Sequence, residues 1–129
     1  MKEKILTYNI VKELGLDKVS VITADMLDGY TRIGVEAFAG CLNLEVIEIP
    51  NTITSIGDDA FYGCRGLTSV TIPNSVTSIG SYAFCDCSGL TNIDYNGTME
   101  QWNAISKNSD WNTNTGEYTV HCTDGDITK

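Results

Sequence analysis

One histidine, two prolines and three phenylalanines are all that these 129 residues hold of those types. The scarcity of histidine limits catalysis, because a Ser-His-Asp or Cys-His arrangement would have to use His121. Its neighbour Cys122 points to the opposite face of any strand that carries both. Glycine-rich phosphate loops are missing, and no apolar run is long enough to cross a bilayer. Cys85 and Cys87 lack the spacing and the second pair of a zinc site. Asp124-Gly125-Asp126 lacks the ligand order of a calcium loop. The expectation is no enzyme, no metal and no cofactor. A residual chemical reading, built on His121 and Cys122, predicts bound metal in the purified protein.

Basic residues are the next shortage. Residues 1–32 hold five acids and five bases, but residues 33–126 hold twelve acids against only Arg65 and Lys107. The formal net charge is −9. Phosphate recognition needs clustered Lys and Arg, so nucleic acid and anionic membranes are excluded as direct partners. An acidic surface fits a protein partner with a basic surface, and it also serves solubility. The opening MKEKILTYNIVKELG has early lysines, but Asn9, Lys12 and Glu13 interrupt any secretory apolar core. Five cysteines, an odd number, argue against a disulfide framework. Together these predict a cytoplasmic protein in a reducing compartment.

What the chain does have is periodicity. IGVEAFAGCLNLEVIEIPNTITS (33–55), IGDDAFYGCRGLTSVTIPNSVTS (56–78) and IGSYAFCDCSGLTNIDYNGTMEQ (79–101) align at a period of 23. Ile33/Ile56/Ile79, Phe38/Phe61/Phe84, Cys41/Cys64/Cys87 and Leu44/Leu67/Leu90 recur at fixed offsets. Such a period means a solenoid, because one unit cannot bury its own apolar face. Leu44–Ile47–Ile49, Leu67–Val70–Ile72 and Leu90–Ile93–Tyr95 read as inward-facing strand residues, stopped by Pro50 and Pro73 in the first two units. The cysteines form a buried column, with Cys85 and Cys122 off it as candidate exposed thiols. Gly34, Gly57 and Gly80 are expected at corners in a backbone conformation closed to other residues.

The ends depart from this pattern. Residues 2–14 read as a helix with Leu6, Ile10 and Leu14 on one face and Gly15 past its C-terminus, a strand through ILTYNIV being the alternative. Val21, Ala24, Met26, Tyr30 and Ile33 stand one full period before Leu44, Ile47, Ile49, Ile53 and Ile56, as a degenerate capping coil would. At the other end, Thr98-x-x-Gln101 is a capping box for a short helix along Met99, Trp102 and Ile105, with Trp102 in the slot of Ile79. GEYTVHC (116–122) reads as a last strand before a TDGD turn. The expected organisation is a single domain: an N-terminal cap (1–20), repeats (21–97) and a C-terminal cap (98–129).

IPNSVTSIGSYAFCDCSGLTNI resembles the BspA-type leucine-rich repeat, with its IPxxVxxIGxxAFxxCxxL signature, and YNGTMEQWNAISKNSDWN…YTVHCTDGDI resembles the unit that ends such arrays. The resemblance covers roughly residues 21–127. It implies an α/β leucine-rich-repeat solenoid of stacked parallel strands that binds protein without catalysis. Members are commonly large, secreted or surface proteins that bind host ligands; this chain is short and is expected to be complete and cytoplasmic instead.

Recognition must then use the side chains that packing leaves free. On the strands these are Val46 and Glu48, Ser69 and Thr71, and Asn92 and Asp94, expected on the concave side. A second variable stripe follows the corner glycines: Val35-Glu36, Asp58-Asp59 and Ser81-Tyr82. Tyr62 and Tyr82 are candidate aromatic anchors. Two functions fit: a protein-interaction module, or a small acidic inhibitor, such as a phage-type anti-CRISPR or anti-nuclease, that blocks a basic nucleic-acid channel.

Overall fold

The computed structural model describes residues 3–129, and its chain winds into coils that stack two parallel sheets side by side. Each repeat supplies one short strand to each sheet. In chain order the first strands are β1 (Ile5–Leu6), β2 (Val21–Ile22), β3 (Arg32–Ile33), β4 (Val46–Glu48) and β5 (Ser55–Ile56). They are followed by β6 (Ser69–Pro73), β7 (Ser78–Ile79), β8 (Asn92–Asn96), β9 (Ser106–Lys107), β10 (Thr119–Cys122) and β11 (Gly125–Thr128). Odd strands from β1 to β9 make one sheet; the other runs β11-β10-β8-β6-β4-β2, parallel except for the closing β10–β11 hairpin. The repeat period is the register itself: Val46 pairs with Ser69 and Ser69 with Asn92.

Between the sheets lies the AFxxC segment, whose backbone would be buried unsatisfied if it formed only local turns. Its amides alternate instead. Those of Ala37, Ala39 and Cys41 close turns on the carbonyls of Gly34, Glu36 and Phe38, while Glu36, Phe38 and Gly40 donate to Asp58, Ala60 and Tyr62 of the next coil. The next coil repeats this toward Ser81, Ala83 and Cys85. The result is a third ladder made of turns.

Stacking that ladder stacks the phenylalanines. Phe38, Phe61 and Phe84 are buried, with ring centroids 5.2 and 4.9 Å apart and planes 5° and 8° from parallel. Each buried ring contributes about 1.5–3 kcal/mol of apolar transfer, and stacking adds about 0.5–1.5 kcal/mol. The thiols of Cys64 and Cys87 donate to the carbonyls of Phe38 and Phe61, 3.0 and 3.1 Å away, and the cysteine column is unbridged. Leu44, Ile47, Ile49 and their equivalents fill the other half of the core.

The corner glycines serve a different need from the one expected. Gly34, Gly57 and Gly80 do not adopt left-handed φ; Glu36, Asp59 and Tyr82, at 58°, 55° and 56°, do so two residues later. What glycine supplies at the corner is room: a Cβ on Gly57 would stand 2.9 Å from the Gly34 carbonyl carbon, and one on Gly80 2.8 Å from that of Gly57.

The N-terminal end combines both readings of its sequence. Among the described residues β1 pairs Ile5 with Arg32, and helix α1 (Tyr8–Glu13) follows, capped by the Thr7 hydroxyl that accepts from the Ile10 amide. The helix therefore starts later than expected; position 2 lies outside the described residues. Val11 and Leu16 are buried with Leu6, whereas Leu14 is exposed. Gly15 takes φ 71° after the helix as anticipated. The faint first copy is offset by two: Val21 pairs with Val46 rather than matching Leu44, and Val21 and Met26 are exposed while Ile22 and Leu27 are buried. A single 3-10 turn at Ala24–Leu27 lengthens this connection relative to its counterparts, restoring register at Ile33–Ile56.

At the far end, helix α2 (Met99–Ala104) carries the expected capping box between Thr98 and Gln101. Its insertion shifts the last coil, so that Lys107, not Trp102, takes the slot beside Ile79. Lys107 Nζ donates to the Trp102 carbonyl and lies 4.7 Å from that indole's centroid. Trp111 ends the phenylalanine column edge-on to Phe84; Trp102 and Tyr118 pack against it, and Tyr95 packs edge-on to Trp102. GEYTVHC is not the final strand, since β11 continues past a turn shorter than TDGD.

Candidate functional site

The repeat-variable residues fall on two separate sides of the coil. Inward strand positions are constant in character because they meet the core; the alternate positions of the same strands face outward. Two rows result on that open sheet face. One runs Val21, Val46, Ser69, Asn92, Thr119, and the other Glu48, Thr71, Asp94, His121. All six expected strand residues lie here, exposed or half-buried.

The other five, Glu36, Asp58, Asp59, Tyr62 and Tyr82, lie on the turn ladder, and the leucine and cysteine columns separate them from the sheet face. Glu36 and Asp59 occupy equivalent left-handed positions in adjacent coils, which brings like charges together. Partial burial, then Glu36, Asp58 and Asp110, hold the Asp59 carboxyl above its ordinary range. Asp86 does the same to the Tyr62 hydroxyl. Asp58 is also structural: one carboxylate oxygen accepts the Ser81 amide at 2.9 Å. The side is thus strongly acidic, with Tyr8, Val35, Tyr62 and Tyr82 exposed among the carboxylates.

Reactive chemistry finds little support in the thiols. Burial pushes Cys41 up to about 12, and Cys64 is raised further still by its contact with Cys87 and by burial. Cys85, expected as a candidate exposed thiol, is buried, and burial beside Asp86 raises it. Cys122 is partly buried against the core and is raised by burial, then by Asp124 and Asp126. Thiolate, the nucleophilic form, is disfavoured at each of these. Among the described residues no group of three His, Cys, Asp or Glu side chains is placed to hold a metal ion. No helix among them is long and apolar enough to cross a membrane.

His121 is the residue that reading the repeat missed as part of a surface. It stands in the Asp94 row, with Nδ1 3.1 Å from an Asp126 carboxylate oxygen and Nε2 3.1 Å from the Asn92 side-chain oxygen. Strand β10 pairs with β8 at a longer offset than the repeat period, His121 beside Asp94, so the period could not place it. Tyr8 was missed for a related reason: helix α1 lies outside the repeat yet borders the turn ladder. Ala39 lies inside the repeat, but as a variable position of AFxxC it carries no signature of its own.

Comparison with known proteins agrees with this geometry. The family described as BspA type leucine rich repeat region matches residues 16–124 in six copies. A solved structure of a leucine rich cell surface protein from Faecalibacterium prausnitzii A2-165 is similar, at 34% identity and a TM-score of 0.55 over 70% of this chain. The match spans 33% of that protein's chain, about a third of its length. No curated protein matches. With the strand register, the stacked AFxxC ladder and a family match over most of its length, the chain belongs to the BspA-type leucine-rich-repeat family.

Proposed function

We propose that this chain is a non-enzymatic protein-interaction module whose partner presents a basic surface. Solenoids of this kind offer extended surfaces whose side chains are free of packing duties. One observation carries the reading: at a fixed register the inward rows keep their character, while the outward rows change from Val46 to Ser69 to Asn92 and from Glu48 to Thr71 to Asp94. The partner's sign is inferred from the acid on the turn ladder and the net charge of −9. A narrower version, supported by the same stripe, has the solenoid occupying a basic channel that otherwise holds nucleic acid. Five unpaired cysteines favour a reducing cytoplasm, although the similar solved structure belongs to a cell surface protein.

The test is proximity crosslinking in the native cell, followed by binding measurements with the purified partner across a salt series. A specific partner bound more weakly as salt rises, and displaced by nucleic acid in the narrower version, fits the proposal. Binding indifferent to salt would remove the electrostatic part. Substrate turnover by the purified chain would remove the whole.

A further inference from the structure

Two cavities adjoin on the turn ladder. One, of about 630 Å³, lies between helix α1 and the first AFxxC segment, with Tyr8, Val35, Glu36 and Ala39 among its walls. The other, of about 250 Å³, is walled by Glu36, Ala39, Asp59 and Tyr62. Glu36 and Ala39 belong to both, so together they form one open groove. We propose that this groove is a docking surface for an extended basic segment of another protein, a proposal that rests on the interaction-module reading and names its contact.

Three features select that occupant. Tyr8, Val35 and Tyr62 are all exposed, and together they make an apolar and aromatic patch beyond what isolated surface residues would give. Ala39, with a single methyl group, lines both cavities, one of which Tyr8 borders and the other Tyr62. The charged walls, Glu36 and Asp59, are both acidic, and no lysine or arginine among the described residues lines either cavity. An arginine satisfies both demands, laying its guanidinium or aliphatic stem on a tyrosine ring while its N–H groups reach a carboxylate. Lys12 already does half of this within the chain, its Nζ 4.9 Å from the Tyr8 centroid and its charge paired with Asp17 at 3.1 Å. The crowded Glu36–Asp59 pair gains most from an incoming cation, because relief of their repulsion adds to the direct attraction.

The experiment titrates the isotope-labelled full chain with a short peptide alternating arginine and serine at low ionic strength, using a glutamate–serine peptide as control. The expected result is saturable amide shifts at residues 7–9, 35–40 and 58–63, with no response to the control. Paired E36Q and D59N should weaken the peptide about tenfold, whereas paired E48Q and D94N on the open sheet face should leave it unchanged. Melting temperatures check that both variants fold. Equal loss in the two variants, or shifts spread over the sheet face, would overturn the groove. If the crosslinked partner is lost from the sheet-face variant and kept by the groove variant, the groove fails while the interaction module stands.

Discussion

Gly57 and Gly63 sit in the same coil and are glycine for unlike reasons. Gly63 has φ 73° and nothing near its missing side chain. Gly63→Ala therefore incurs only the left-handed backbone, about 1 kcal/mol. Gly57 has an ordinary φ, but its Cβ would press on the backbone of the preceding coil. Gly57→Ala must spread the stack and should cost about 3 kcal/mol or more; urea denaturation of the two variants gives the order. Asp59 yields a prediction of opposite sign. Its carboxyl titrates above its usual value, so the folded state favours the protonated form and ionisation destabilises it. Asp59→Asn should therefore melt higher than the parent at neutral pH, and asparagine also suits the left-handed backbone there. That advantage should emerge as pH rises through the carboxylate range, hold above it, and vanish in acid. The sequence marked Gly57 as special but not why, since a periodic recurrence looks the same whether the constraint is torsional or a contact between coils.

Elements inside the repeat were legible; those at its ends were legible only in part. The β4, β6 and β8 strands follow from LxxLxL because period and apolar spacing agree there, with a proline ending the pattern in the first two. Helix α1 was harder, since Ile5 and Leu6 belong to a two-residue strand whose existence depends on pairing with Arg32 and Ile33. No local pattern encodes an edge pairing of that length. The first coil was misaligned because Leu27 enters the core from a 3-10 turn that the other coils lack. Helix α2, in contrast, announced itself through the Thr98–Gln101 box. Thr98→Ala should cost about 1 kcal/mol and fray that helix. The check is faster hydrogen exchange at the Trp102 amide, which bonds to the Thr98 carbonyl, with protection in β6 little changed.

At the scale of the whole molecule, each coil is stable only against its neighbours. Phe61 has a ring on either side. Phe61→Ala thus opens a cavity in the middle of the column and should cost about 3–5 kcal/mol. That is a large share of the roughly 5–15 kcal/mol that holds a domain folded, and calorimetry should find the variant melting well below the parent. Both outward faces are displayed by the same stack, so the candidate sites inherit its register: a slip of one coil would dissolve the open-face rows and the turn-ladder groove alike. The most direct test of that register is nuclear Overhauser contact between selectively labelled phenylalanine rings. In-register coils give cross-peaks from Phe61 to both Phe38 and Phe84 and none between Phe38 and Phe84; a direct Phe38–Phe84 contact, or no contact to Phe61 at all, would contradict the stacking.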